Sequence, residues 1–140
     1  VTTSRRTSPA VERLLAQRLG TDPRCRLLLV ASRDAIDGTM EGMLGAADVA
    51  VVTGESISMV SEACASGRAV VVVEPPLRQA NRSTLTKHQR FLHGLAEEGY
   101  ARLVPLPELG LAIQRALKER RAMQPLDNVT AVRHALARLV

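Results

Sequence analysis

Ala47-Asp48-Val49-Ala50-Val51-Val52-Thr53-Gly54-Glu55-Ser56-Ile57-Ser58-Met59-Val60-Ser61-Glu62-Ala63-Cys64-Ala65-Ser66-Gly67-Arg68-Ala69-Val70-Val71-Val72-Val73-Glu74-Pro75-Pro76 is the stretch whose reading decides the fold. Val49 to Val52 is a short β-branched run bounded by Asp48 and Gly54, the pattern of a strand buried on both faces. Val70 to Val73 repeats it and is stopped by Pro75 and Pro76, which have no N–H for a ladder. The interval between the runs is too long for a hairpin and long enough for a crossover helix. The two strands are therefore expected to be parallel in one sheet.

At about 100° per residue, Ile57, Val60, Ala63 and Cys64 fall on one side of that helix and Ser58, Glu62 and Ser66 on the other. The first side is expected to pack on the sheet, leaving the second for a ligand. Ser56 is the expected N-cap and Gly67 the expected C-cap. Thr53, Gly54, Glu55 and Ser56 then lie where a strand's carboxyl end meets a helix's amino end, the usual ligand edge of an open α/β sheet. Unpaired N–H groups and a partial positive charge there suit phosphate. Every strand-to-helix turn shares this geometry, so for Ser56 the simple cap and the phosphate ligand both stand.

Working outward, Val1-Thr2-Thr3 reads as the tail of a strand whose apolar beginning lies before the sequence, as expected of a fragment. A turn follows, with Ser8 as N-cap and Pro9 at the first helical position. Val11, Leu14, Leu15 and Leu19 give that helix an apolar face, and Gly20 ends it. Arg5 and Arg6 stand at this second strand-to-helix junction, as a solvated basic turn or as anion ligands. Arg26 to Ser32 is expected to be a strand, followed by a short helix from a Thr39 cap to Ala46 with Met40, Met43, Leu44 and Ala47 inward. A further strand hardly fits between Ser32 and Asp48. Leu77 to Leu85, with Arg78, Asn81, Arg82 and Ser83, reads as a long loop beyond a strand end, suited to binding. Thr86 caps a helix from Lys87 to Glu98 with Phe91, Leu92 and Leu95 inward. A short strand made by Ala101-Arg102 and Leu103-Val104-Pro105, an amphipathic helix from Glu108 to Arg121 and a last helix from Asn128 to Leu139 complete the chain. The expected fold is α/β, a Rossmann-like open parallel sheet of about five strands with helices on both faces.

The 140 residues suffice for one domain with a real core. No apolar run approaches the roughly 18 residues of a membrane span, and no signal-peptide pattern opens the chain. A cytoplasmic protein, at most peripherally associated with membranes, is expected. The net charge of +5 favours anionic partners. With one Tyr and one Phe to stack on bases, nucleic acid is not the expected partner. Cys25 and Cys64 are read as small buried hydrophobes in strand and helix.

Self-contained catalytic chemistry is not evident. His88 and His93 are not spaced as a zinc-binding helix pair, and no metal site is expected. There is no Gly-x-Ser-x-Gly elbow, no phosphate-binding Gly-x-x-x-x-Gly-Lys loop and no Gly-x-Gly-x-x-Gly. The last absence argues against an ordinary dehydrogenase. Hydroxyls, arginines and one carboxylate on strand-end loops point to a phosphorylated ligand.

Thr2-Thr3-Ser4-Arg5-Arg6-Thr7, the run from Ala47 through Thr53-Gly54-Glu55-Ser56-Ile57-Ser58-Met59-Val60-Ser61-Glu62-Ala63, Gly67-Arg68-Ala69-Val70, Lys87-His88-Gln89-Arg90-Phe91 and Gly99-Tyr100-Ala101-Arg102 occur in one order. In this the chain resembles, over nearly its whole length, the Elm-type mitochondrial-fission family of plant organelle proteins and bacterial glycosyltransferase-like proteins. More distantly it is similar to the carboxyl-terminal, donor-binding domain of GT-B glycosyltransferases. Ser32 to Leu44 departs from the Elm-type pattern, lacking its Asn-Pro-Tyr-like element.

The resemblance implies a single domain, 1–140, that binds a nucleoside diphosphate sugar as substrate and uses no cofactor. Glu62 matches the carboxylate that accepts from ribose hydroxyls, and Ser56 and Ser58 match the pyrophosphate cradle. Arg5, with Ser4 and Arg6 beside it, matches the group facing the leaving diphosphate, and Gln89 and Arg90 lie nearer the sugar. Without a metal, such cationic groups would stabilise the departing diphosphate. The acceptor and the usual base belong to an amino-terminal domain missing here, so no catalytic residue is assigned and the domain alone is expected to be inactive. Its alternative is a non-catalytic GT-like interaction module, as in organelle-fission relatives; an epimerase is a weaker third reading. Residues 128–139 are expected to self-associate or pack on the missing domain. Glu62 has a purely structural alternative, an ion pair with an arginine of a neighbouring loop.

Overall fold

The computed structural model describes residues 1–34, 36–75, 86–119 and 124–127. The chain divides into two compact units, Val1–Thr39 and Met40–Val140. Three strands, β1 (Val49–Thr53), β2 (Ala69–Val73) and β3 (Arg102–Val104), build the second unit, ordered β1-β2-β3 and all parallel. Val49 pairs with Ala69 and Thr53 with Val73, so the two valine-rich runs lie side by side as expected.

Successive residues of a strand face opposite sides of the sheet, and β2 is divided accordingly. Val70 and Val72 join Ala50, Val60, Ala63, Cys64, Leu92 and Leu95 in one core, while Ala69 and Val71 join Val104, Ala112 and Ala116 in another. Helices α3 (Ile57–Ala65) and α4 (Lys87–Glu97) thus cover one face, and α5 (Leu109–Glu119) covers the other. An apolar run without alternation is what this double coverage requires. Arg102 pairs with Val71 on the α5 face, and its Nη2 donates to Glu119 at 3.0 Å. As an outer strand, β1 is covered less: Val51 is 45% exposed.

The first unit holds helix α1 (Pro9–Leu19), capped by Ser8 with Pro9 at its start. Among the described residues the sheet has three strands, short of the five expected. The expected strand Arg26–Ser32 is reduced to a single parallel bridge between Thr2 and Leu29. Beside Thr2 the ladder stops where Ala31 N–H donates to the Thr3 side chain, Oγ1, at 2.8 Å, and on the other edge Val30 N–H is taken by Asp34 Oδ2 at 2.9 Å. Cys25 therefore lies outside any strand and is only half-buried.

Smaller departures have local causes. In α2 (Thr39–Ala46) Thr39 is the first helical residue, and its hydroxyl donates to Ile36 O at 2.7 Å instead of capping. None of the expected α2 stripe is fully buried, and Leu44 packs at the margin of the core. Ile57, at the open end of α3, is 43% exposed, whereas Val60, Ala63 and Cys64 are buried as expected. Ser66 closes α3 and Gly67 follows at φ 69°, a left-handed conformation that favours glycine. No described residue between 32 and 48 is in a strand. The expected loop 77–85 and helix 128–139 lie outside the described residues. Among the described residues, no helix is long and apolar enough to cross a membrane.

Candidate functional site

The turn from β1 into α3 is held from several sides. Thr53 ends the strand with its side chain exposed, and Gly54 is buried. Gly54 N–H donates to Val73 O at 2.9 Å, and its carbonyl contacts His88 Nε2. A Cβ on Gly54 would lie 2.8 Å from Pro75 Cδ, 2.9 Å from Leu92 Cδ1 and 3.0 Å from Val73 O. Only glycine lets the backbone pass there without displacing a neighbour. Glu55 is exposed, and Ser56 caps α3 by accepting from Met59 N–H at 3.4 Å. That bond accounts for Ser56 as a cap.

Ser58 and Glu62 lie one turn apart on the exposed arc of α3, where i, i+4 side chains meet. The Ser58 hydroxyl donates to Glu62 Oε1 at 2.9 Å. Glu62 also lines a groove of about 380 Å³ with Met40, Leu44 and Ala65 as apolar wall and Glu41 and Arg68 as charged neighbours. Arg68 Nη2 is directed to Gly45 O at 2.5 Å. Among the described residues no Lys, Arg or His forms an ion pair with Glu62.

On α4, Thr86 and Gln89 form a capping box: Thr86 Oγ1 accepts from Gln89 N–H at 3.2 Å and Gln89 Oε1 from Thr86 N–H at 2.9 Å. The Gln89 carbonyl is thereby engaged in holding the helix end, leaving its NH2 group for other contacts. Arg90 is exposed. His93 Nε2 lies 3.4 Å from Glu74 Oε1, just beyond the end of β2.

Ser4, Arg5 and Arg6 belong to the first unit. There the Ser4 N–H donates to Thr7 Oγ1 at 3.0 Å and the Arg6 N–H to Ser4 Oγ at 3.3 Å, a tight hydroxyl-bridged turn that presents both arginine side chains to solvent. In the second unit the structure brings Thr53, Gly54, Glu55 and Ser56 into one turn and joins Ser58 to Glu62. Burial pushes the Cys64 thiol up to about 11, so at neutral pH it is a protonated core group and not a nucleophile. Among the described residues no three His, Cys, Asp or Glu side chains are grouped to hold a metal ion.

His88 is the site residue that sequence reasoning missed. Its position after a helix cap carries no sign of a contact 34 residues away in the chain. In the sequence, the groove wall of Met40 and Leu44 shows only as a buried stripe.

A family model described as mitochondrial fission ELM1 matches residues 1–139. No curated protein and no solved structure matches the chain.

Proposed function

The chain belongs to the mitochondrial fission ELM1 family, and we propose that it is a donor-binding domain for a nucleoside diphosphate sugar. Glu62 carries the reading: a carboxylate without an ion-pair partner among the described residues, bonded to Ser58 and lining a groove of about 380 Å³. A groove of that size, apolar on one wall with a few polar groups, suits a small ligand. A carboxylate accepts from both hydroxyls of a ribose, and charge-assisted bonds of this kind are the stronger ones. The turn through Ser56 and Ser58 then supplies backbone N–H groups, and Ser56 its hydroxyl proton, for the attached diphosphate. On the same reading the working protein is a cytoplasmic GT-B glycosyltransferase. Its sheet reaches about five strands, and sugar transfer needs an amino-terminal acceptor domain.

Titration calorimetry with a panel of nucleoside diphosphates tests this, comparing the native chain with Glu62→Gln. The amide keeps size and the bond from Ser58 but loses the charge. Affinity is expected to fall by about 1.5–3 kcal/mol with folding little changed. Equal affinities, or a 2′-deoxyribose ligand bound as well as its ribose counterpart, would remove Glu62 from the site.

A further inference from the structure

The geometry points to His88 as a positioning residue that aims the Glu55 amide at the diphosphate of the ligand proposed above, a role that rests on that reading. A peptide unit is planar and trans, so the Gly54 carbonyl and the Glu55 N–H share one plane and point in opposite directions. Whatever holds the carbonyl therefore orients the amide. The Gly54 carbonyl accepts from the His88 ring, and because a carbonyl only accepts, the proton at that contact sits on Nε2.

Both partners of this contact are rigidly mounted. His88 lies in the first turn of α4, whose amino end is closed by the Thr86 and Gln89 capping box. One turn on, Leu92 is 2% exposed, and its Cδ1 would lie 2.9 Å from a Cβ on Gly54. Gly54 is pinned on its other side by the bond from its N–H to Val73 O. The Glu55 N–H, by contrast, has no hydrogen-bond partner among the described residues. It precedes the Ser56 cap and the open amino end of α3, so the peptide that His88 fixes is the one leading into the amides proposed for the diphosphate. Holding such a donor in place before the ligand arrives lowers the ordering cost of binding.

Two variants test the role. His88→Leu fills similar space without a donor, and His88→Gln returns an N–H near the position of Nε2. Titrations with a nucleoside diphosphate and with its parent nucleoside are expected to show about 5- to 30-fold weaker diphosphate binding by His88→Leu. Nucleoside affinity is expected to change less than about twofold, because the ribose contact at Glu62 is untouched, and His88→Gln should recover most of the loss. Equal losses for the two ligands, or no recovery with Gln, would overturn the role.

A ligand-free measurement separates this from the nucleotide reading. The ¹⁵N order parameter of the Glu55 amide is expected near 0.85 in the native chain, lower in His88→Leu and restored in His88→Gln. A native value below about 0.6, or no change on substitution, overturns the positioning role even if nucleotides bind. If the native chain binds no nucleoside diphosphate while the order parameters behave as expected, the ligand reading fails and His88 stands as the residue that orders this turn.

Discussion

Among the described residues, Val1–Thr39 contains a helix with no buried residue and one parallel bridge, whereas Met40–Val140 contains three paired strands with helices on both faces. In the first unit side chains take several of the backbone amides beside that bridge. Thr3 Oγ1 accepts from Ala31 N–H and donates to Glu12 Oε1 at 3.2 Å, Ser32 donates to Glu12 Oε2 at 2.8 Å, and Asp34 holds Val30 N–H. In the second unit strand ladders satisfy the backbone, and alternate residues of β2 fill two cores. The difference teaches where a site can be precise: a turn mounted on a two-sided core keeps its geometry, while one held chiefly by part-buried side-chain hydrogen bonds adjusts more easily.

The largest effect that could break this comparison is a core truncation. Leu92→Ala should cost about 2–5 kcal/mol in urea unfolding, since Leu92 is fully enclosed, whereas Leu14→Ala on α1, where the side chain is 51% exposed, should stay within about 0.5 kcal/mol. Comparable losses would mean that the first unit has a core as strict as the second.

The cysteines sharpen the comparison at alkaline pH. Burial raises the Cys64 thiol to about 11 in the folded chain, against an ordinary value of 9.0. Below pH 9 both folded and unfolded forms keep the proton, so the stability from this group is whole. Between 9 and 11 only the unfolded chain has lost it, and stability should fall by on the order of 2 kcal/mol as pH rises. In Cys64→Ala that alkaline decline should be smaller. Iodoacetamide near pH 8 is also expected to label half-buried Cys25 well before Cys64. Equal labelling rates would contradict the burial of Cys64.

Thr3→Val probes the polar fastening of the first unit. It keeps shape but deprives Ala31 N–H of its acceptor and Glu12 of a donor. Because Ala31 is only half-buried and water can replace part of the bond, a loss of about 1 kcal/mol is expected in the same urea assay. A loss matching that of Leu92→Ala would place Thr3 among the principal supports of the chain.

Much of the second unit is legible in the residues alone. Two β-branched runs with a two-faced helix between them can bury their apolar surface only as parallel strands with a crossover, and Ser56 and Thr86 announce their helix starts. The Ser58 and Glu62 pairing follows from helical spacing. The first unit is harder to read, because Leu27 to Val30 has the composition of a strand while the competing bonds from Thr3 and Asp34 leave no mark in a pattern of hydrophobicity. Arg5 and Arg6 stand at a turn in both sequence and structure, but a turn alone does not say what its arginines meet.

By itself the sequence determined the local elements, the parallel pairing and the polar arc of α3, because periodicity, caps and connection length act over neighbouring residues. Tertiary structure alone decided the sorting of β2 side chains into two cores, the groove beside Glu62 and the hold of His88 on Gly54. These depend on which distant surfaces meet. A glycine with room for no Cβ and a carbonyl met by a ring 34 residues along the chain are products of packing, which no local pattern encodes.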